Sequence, residues 1–208
     1  MTTSFVRALT CAIVLAAPAV HAANLLGNAG FEDGLARRET PGNAARRSAN
    51  PGACEGSFYG FGSNTPLFSV SQTVDLLAAG LVNQQDIDRG VLKLVFGGYQ
   101  AGFSGQTDFG QITVTLFEGN SAQLNAVSLP SFFSNGVWEE QRGETFLLPG
   151  TRTVRFDFIG TRKQGSNNDA YLDAAFLVVA PAPVPLPATL PLLAVALGGL
   201  LRRARRRS

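Results

Sequence analysis

Along the middle of the chain, hydrophobic and polar positions alternate with a period of two, and no stretch keeps the 3.6-residue period of an amphipathic helix. In Gln111–Phe117 the side chains of Ile112, Val114 and Leu116 fall on one face, against Thr113 and Thr115 on the other. In Thr153–Phe158, Val154, Phe156 and Phe158 oppose Arg155 and Asp157. Such strands belong in an antiparallel sandwich that buries one face and wets the other. Val91–Phe96 is apolar almost throughout, which predicts a central strand. Gly97-Gly98, Glu118-Gly119-Asn120 and Pro149-Gly150 read as turns between these runs. A helical turn is expected at Asn83–Ile87, and Arg37–Gly56, rich in Arg, Asn, Pro and Gly, reads as a long exposed loop. The fold class that follows is all-β, a sandwich occupying residues 23–179.

Both ends break this pattern. At the N-terminus, Arg7 precedes a short apolar run from Ala8 to Ala17 and small residues around Val20-His21-Ala22, the order of a secretory signal covering residues 1–22. Residues 180–208 have three parts: a Pro-rich segment, an apolar run from Leu190 to Leu201, and a tail of five arginines. Cations directly after an apolar helix hold that end in the cytoplasm. From Leu186 to Leu201 a helix reaches about 24 Å, short of a bilayer core of about 30 Å, so it suits a transient stop. These features predict export, membrane anchoring before processing, and a final place on or outside the cell.

Charge and rare residues narrow the chemistry. The formal net charge of +2 misleads, because six of the 17 basic residues lie in the two end segments. Residues 23–179 keep 11 basic against 15 acidic residues, a net of −4. That balance argues against nucleic acid, whose phosphates demand a cationic surface. The only histidine, His21, falls in the signal, which removes His-dependent catalytic triads and His-ligated metals from the mature chain. Cys54 would remain without an internal partner and reads as a partly buried thiol.

The C-terminal order of Val184-Pro185-Leu186-Pro187-Ala188, apolar helix and Arg cluster resembles the PEP-CTERM sorting signals of Gram-negative bacteria, in a variant form. The resemblance implies recognition by an exosortase, a membrane transpeptidase, cleavage near the Pro-rich motif, and association with exopolysaccharide or biofilm matrix. Within the domain, Asn24–Gly34 resembles the opening strand of galactose-binding-like jelly rolls, and Asn168–Val178 resembles their closing strand. Gly97-Gly98-Tyr99 with Gln106 and Asp108, Leu148–Arg155, Thr161-Arg162 and Gly165–Tyr171 are similar to a bacterial relative of the F-box-associated type. The implied fold is a galactose-binding-like jelly roll, flanked by a signal helix and a transmembrane helix.

Members of that group often carry a structural Ca²⁺ between first and last strands. The resemblance assigns Glu32 and Asp173 to it, with Asp33 and Asp169 as additional ligands. Calcium takes about six to eight oxygens, so carbonyls or water must help, and Ala174 stands where a second Asp is common. The alternative is that Glu32 and Asp173 bind backbone N–H groups. Sugar recognition needs exposed rings beside polar groups. Tyr59, Tyr99, Phe103 and Trp138 are the leading candidates, with Phe58, Phe61, Asn64, Gln100 and Gln106 nearby, and Phe58–Phe61 and Tyr99–Phe103 reading as loops. The paired Glu139-Glu140 does not make a glycosidase site, because strand neighbours point to opposite faces. The sequence is thus read first as a non-catalytic surface or matrix protein, second as a carbohydrate-binding module, and third as a hydrolase.

Overall fold

A computed structural model describes residues 23–78, 80 and 82–183. The expected signal (1–22), and the sorting motif Val184–Ala188 with its helix and Arg tail, lie outside the described residues. The rest forms two antiparallel sheets face to face. One has five strands in the order β1 (Ala45–Arg47), β2 (Tyr59–Phe61), β9 (Tyr171–Pro181), β4 (Leu92–Ala101) and β7 (Glu139–Phe146). The other has four, in the order β3 (Leu67–Asp75), β8 (Thr151–Thr161), β5 (Phe109–Glu118) and β6 (Gln123–Ser128).

The alternation read from the sequence is the alternation that packs. Ile112, Val114 and Leu116 of β5 and Val154, Phe156 and Phe158 of β8 are all fully buried between the sheets. On the wet face, Arg155 holds Asp157 at 2.9 Å and Glu39 at 3.0 Å, and Ser71 donates to Asp157 at 2.6 Å. Val91–Phe96 lies largely in β4, which pairs with both β9 and β7, as its continuous apolar character predicts. Burying each large side chain contributes about 1.5–3 kcal/mol, so this double layer dominates the stability of the domain.

Glycines make room for the largest rings. Phe68 and Phe158 meet edge to face at 5.8 Å between centroids. Gly160 of β8 lies opposite Phe68 on β3 and opposite Gly110 on β5. A side chain at Gly160 would run into the Phe68 ring, and one at Gly110 into Phe158. α1 (Gln84–Asp88) is the expected helical turn; the Asn83 side chain caps it by accepting from the Gln85 N–H at 2.8 Å.

Several local expectations give way. Gly97-Gly98 is not a turn: it lies inside β4, at a bulge opposite β9 where Ala174 has φ 43°. A turn signal of small residues here serves close strand packing, since a Cβ on Gly98 would sit 2.8 Å from Leu172 Cδ1. Tyr59–Phe61 and Tyr99–Ala101 are strand, not loop. The Arg37–Gly56 loop contains β1, and Glu39 bridges to Ser71. Asn24–Gly34 makes turns instead of an opening strand: Asn28 and Phe31 have positive φ, which drives the Phe31 ring into the core with no exposed surface. It is still sewn to the last strand, because Leu25 N donates to Leu177 O at 2.8 Å and the Asn24 side chain bonds Ala175 O and Leu177 N. β9 runs to Pro181, slightly past the expected boundary, and Ala182 N donates to Val91 O.

Candidate functional site

The outer face of the five-stranded sheet carries the chemistry. Along β9 the inward positions Leu172, Ala175 and Leu177 join the core, while Asp169, Tyr171 and Asp173 precede or occupy outward positions. The segment between β1 and β2, residues 48–58, folds over one end of this face. It is fastened there by side chains of the sheet and of the N-terminal turns.

Two of those fasteners are the carboxylates assigned to calcium. Asp173 Oδ2 accepts from Cys54 N at 2.8 Å and Glu55 N at 3.0 Å, and its Oδ1 accepts from Ala174 N at 2.7 Å. Glu32 Oε1 accepts from Ser57 N at 2.7 Å and Phe58 N at 2.9 Å. Burial pushes the Asp173 carboxyl above the usual carboxylate range, three N–H donors pull it back, and the charge of Glu55 adds to the rise. Asp33 is exposed on the turn, and Asp169 lies elsewhere, accepting from the Tyr171 hydroxyl at 2.7 Å with Arg47 at 3.6 Å. Among the described residues no three acidic, histidine or cysteine side chains converge. The four carboxylates therefore do not form one oxygen shell, and the two that meet the same loop are arranged to receive N–H groups. Such a donor set fits loop fastening better than a cation.

Two of the four aromatic candidates are fasteners as well. Tyr59 is fully buried and its hydroxyl donates to Ala49 O at 2.8 Å. Trp138 donates from Nε1 to Gly52 O at 2.8 Å. The Tyr59 ring lies 5.3 Å from Trp138 and 5.0 Å from Tyr171, a small second core under the loop. Burial pushes the Tyr59 phenol up to about 12, and burial with the Asp169 contact pushes Tyr171 up as well. Tyr59 thus presents no face to a ligand. Cys54 is exposed and free, and desolvation together with the charges of Asp173 and Glu55 holds its proton more tightly, the opposite of an activated thiol.

Beside the fastened loop the face is open. A groove of about 560 Å³ runs between the N-terminal turns and the sheet, walled by the rings of Tyr99 and Phe176, by Glu32 and Glu55, and by Asn24. Tyr99 comes from β4 opposite Asp173 and from the other side opposite Glu140, and Phe176 lies opposite Gly97. Because Gly97 has no side chain, the Phe176 ring lies over its position, with the Arg142 guanidinium 5.5 Å from the ring centroid. Sugar C–H faces pack on such rings while hydroxyls bond to nearby carboxylates and amides. Of the residues proposed from sequence for sugar binding, Tyr99 lines this groove, Trp138 and Tyr59 do not, and Phe103, 37% exposed, lies in the β4–β5 loop. Phe176 and Glu55 were missed. Phe176 looked like one more apolar residue of the closing strand, and only the bulge at Ala174 separates it from its inward neighbours.

No family model and no curated protein matches the sequence. Solved structures do match the fold. A family 16 carbohydrate-binding module is similar with a TM-score of 0.54 at 16% identity, over 74% of this chain and 99% of the other. A family 61 module in complex with β-1,4-galactotriose has a TM-score of 0.51 at 17% identity, over 77% and 99%. A cyclase from Fischerella sp. TAU has a TM-score of 0.57 at 12% identity, over 78% and 100%. The enzymatically active domain of tailspike protein 4 from bacteriophage CBA120 has a TM-score of 0.56 at 8% identity, over 76% of this chain but 21% of its own. At these identities the likeness is one of fold: a two-sheet jelly-roll sandwich shared with carbohydrate-binding modules.

Proposed function

We propose that this chain is an exported carbohydrate-binding module that holds a glycan in the Tyr99–Phe176 groove without cleaving it. The observation that carries the reading is the groove itself: two half-buried rings from adjacent strands, with carboxylates and an amide at their rim, on an open sheet face. The fold shared with the family 16 and family 61 modules supports sugar binding over the purely structural role that the sequence placed first. The end segments support the rest of the proposal: a signal at residues 1–22 for export, an exosortase acting at Val184–Ala188, a brief stay in the membrane, and exopolysaccharide as the surrounding matrix.

Titration calorimetry against β-1,4-galactan, xylan and β-glucan oligosaccharides tests the groove. Saturable binding is expected for at least one of them, weakened about tenfold or more by Tyr99→Ala or Phe176→Ala, since a stacked ring contributes on the order of 1–3 kcal/mol. Binding that both variants leave intact would remove the groove from the account. A hydrolase is the second reading, because Glu32 and Glu55 both line the groove and two of the similar structures are enzymes by name. Release of reducing ends from the bound glycan, abolished by Glu55→Gln, would establish it.

A further inference from the structure

A second, smaller hollow lies at the loop end of the sandwich, where the β4–β5 and β8–β9 loops meet β1. Its volume is about 170 Å³, and Arg47, Phe103, Gln106, Asn167 and Asp169 line it. The loops that form it are tied by one buried side chain. Asp108, 1% exposed, accepts from Lys163 N at 2.6 Å and Gln164 N at 2.9 Å through Oδ1, and from Asp169 N at 2.9 Å through Oδ2. Gly105 N donates to the Asn135 side chain and Thr107 N to the Gln164 side chain, so both loops are held from behind. The walls are therefore in place before any ligand arrives.

The polar groups in this hollow are not used up by the fold. Asp169 is 3% exposed, spends Oδ1 on the Tyr171 hydroxyl and Arg47, and has no hydrogen bond to Oδ2 among the described residues. Gln106 Oε1 is buried with no partner, and a terminal amide torsion turns easily. An unmet buried acceptor costs about 1–3 kcal/mol, so Gln106 Oε1 calls for a donor. A carboxylate oxygen that accepts, beside a guanidinium that donates, matches two neighbouring hydroxyls. Phe103 supplies an exposed ring for the C–H face. The volume admits a single ring and falls below the range of about 300–1,000 Å³ typical of larger ligands.

We infer that this hollow is a second sugar site, which takes one neutral pyranose end-on through a vicinal diol, with Asp169 and Arg47 as the recognising pair and Phe103 as the platform. It lies before the start of β9, at Asp169, whereas the groove is lined farther along that strand by Ala174, Ala175 and Phe176, and the two share no lining residue. A molecule with both sites can grip one chain along its length and the end of another.

The test uses residues 23–183 in isotope-labelled form, first shown to melt cooperatively, titrated with methyl glycosides of galactose, glucose, mannose and fucose and with tetrahydropyran as the diol-free control. At least one glycoside is expected to shift the amides of residues 103–106 and 165–169 saturably, with tetrahydropyran giving no shift. Phe103→Ala and Asp169→Asn are each expected to weaken that binding about tenfold, while Phe176→Ala leaves it unchanged. Should Asp169→Asn unfold the protein, Phe103→Ala and Asn167→Ala on the surface carry the test. Absence of any shift by all four glycosides overturns the second site, and so does binding lost with Phe176→Ala. Loss of oligosaccharide binding in the groove with this binding intact would overturn the groove alone.

Discussion

Asp173→Ala asks whether the carboxylate under the loop is an amide acceptor or a metal ligand. The change removes three hydrogen bonds, from Cys54 N, Glu55 N and Ala174 N. Bonds to a charged acceptor contribute about 1.5–3 kcal/mol each. Two terms offset this. The buried carboxylate itself costs desolvation, visible in its raised pKa, and the freed amides of the exposed residues Cys54 and Glu55 regain water. A net loss of about 2–3 kcal/mol follows, and at about 2–4 °C per kcal/mol for a domain of this size the melting midpoint falls by about 4–12 °C. Thermal melts by circular dichroism measure it, and hydrogen exchange should show protection lost first at residues 54–58. The wild-type midpoint is expected to be the same with EDTA and with millimolar Ca²⁺. The reasoning fails if chelation lowers the wild-type melt and Asp173→Ala abolishes that sensitivity, because the oxygens would then be serving a cation. It fails as well if the variant melts within a degree of wild type.

Other expectations follow from the same geometry. Gly160→Ala forces a methyl group against the Phe68 ring between the sheets; overpacking of this kind costs about 1–3 kcal/mol in chemical denaturation. Phe158→Ala leaves a cavity at the Phe68 contact and should cost about 3–5 kcal/mol in the same assay. Tyr59 is raised to about 12 in the fold, so its stabilising effect is complete below the unfolded phenol value near 10 and is lost as pH rises through the folded one. Alkaline titration should therefore show the tyrosinate absorbance of Tyr59 and Tyr171 appearing together with unfolding; their ionisation inside an intact fold would contradict the packing described.

Much of the sandwich is legible in local pattern. Ile112/Val114/Leu116 and Val154/Phe156/Phe158 face inward because a strand places alternate side chains on opposite faces whatever its partners. The capping Asn83 and the turns at Glu118–Asn120 and Pro149–Gly150 are equally local. Gly97-Gly98 misleads because the same residues that permit a turn also permit two backbones to approach closely. The site is less legible. Tyr59, Tyr99 and Trp138 are alike as polar-tipped rings in Gly-bearing segments, yet Tyr59 and Trp138 anchor a loop through Ala49 O and Gly52 O while Tyr99 lines open space. Which rings are covered depends on where residues 48–58 come to rest, and that depends on acceptors as distant in sequence as Glu32 and Asp173.

The sequence alone determined which residues could share a face and the acidic balance of residues 23–179. These follow from backbone periodicity and side-chain chemistry, which act between near neighbours. Tertiary structure decided which carboxylates meet N–H groups, which aromatic rings stay uncovered, and that Gln106 Oε1 is buried without a partner among the described residues. Those outcomes depend on strand order and loop placement, where groups more than a hundred residues apart compete for the same hydrogen bonds.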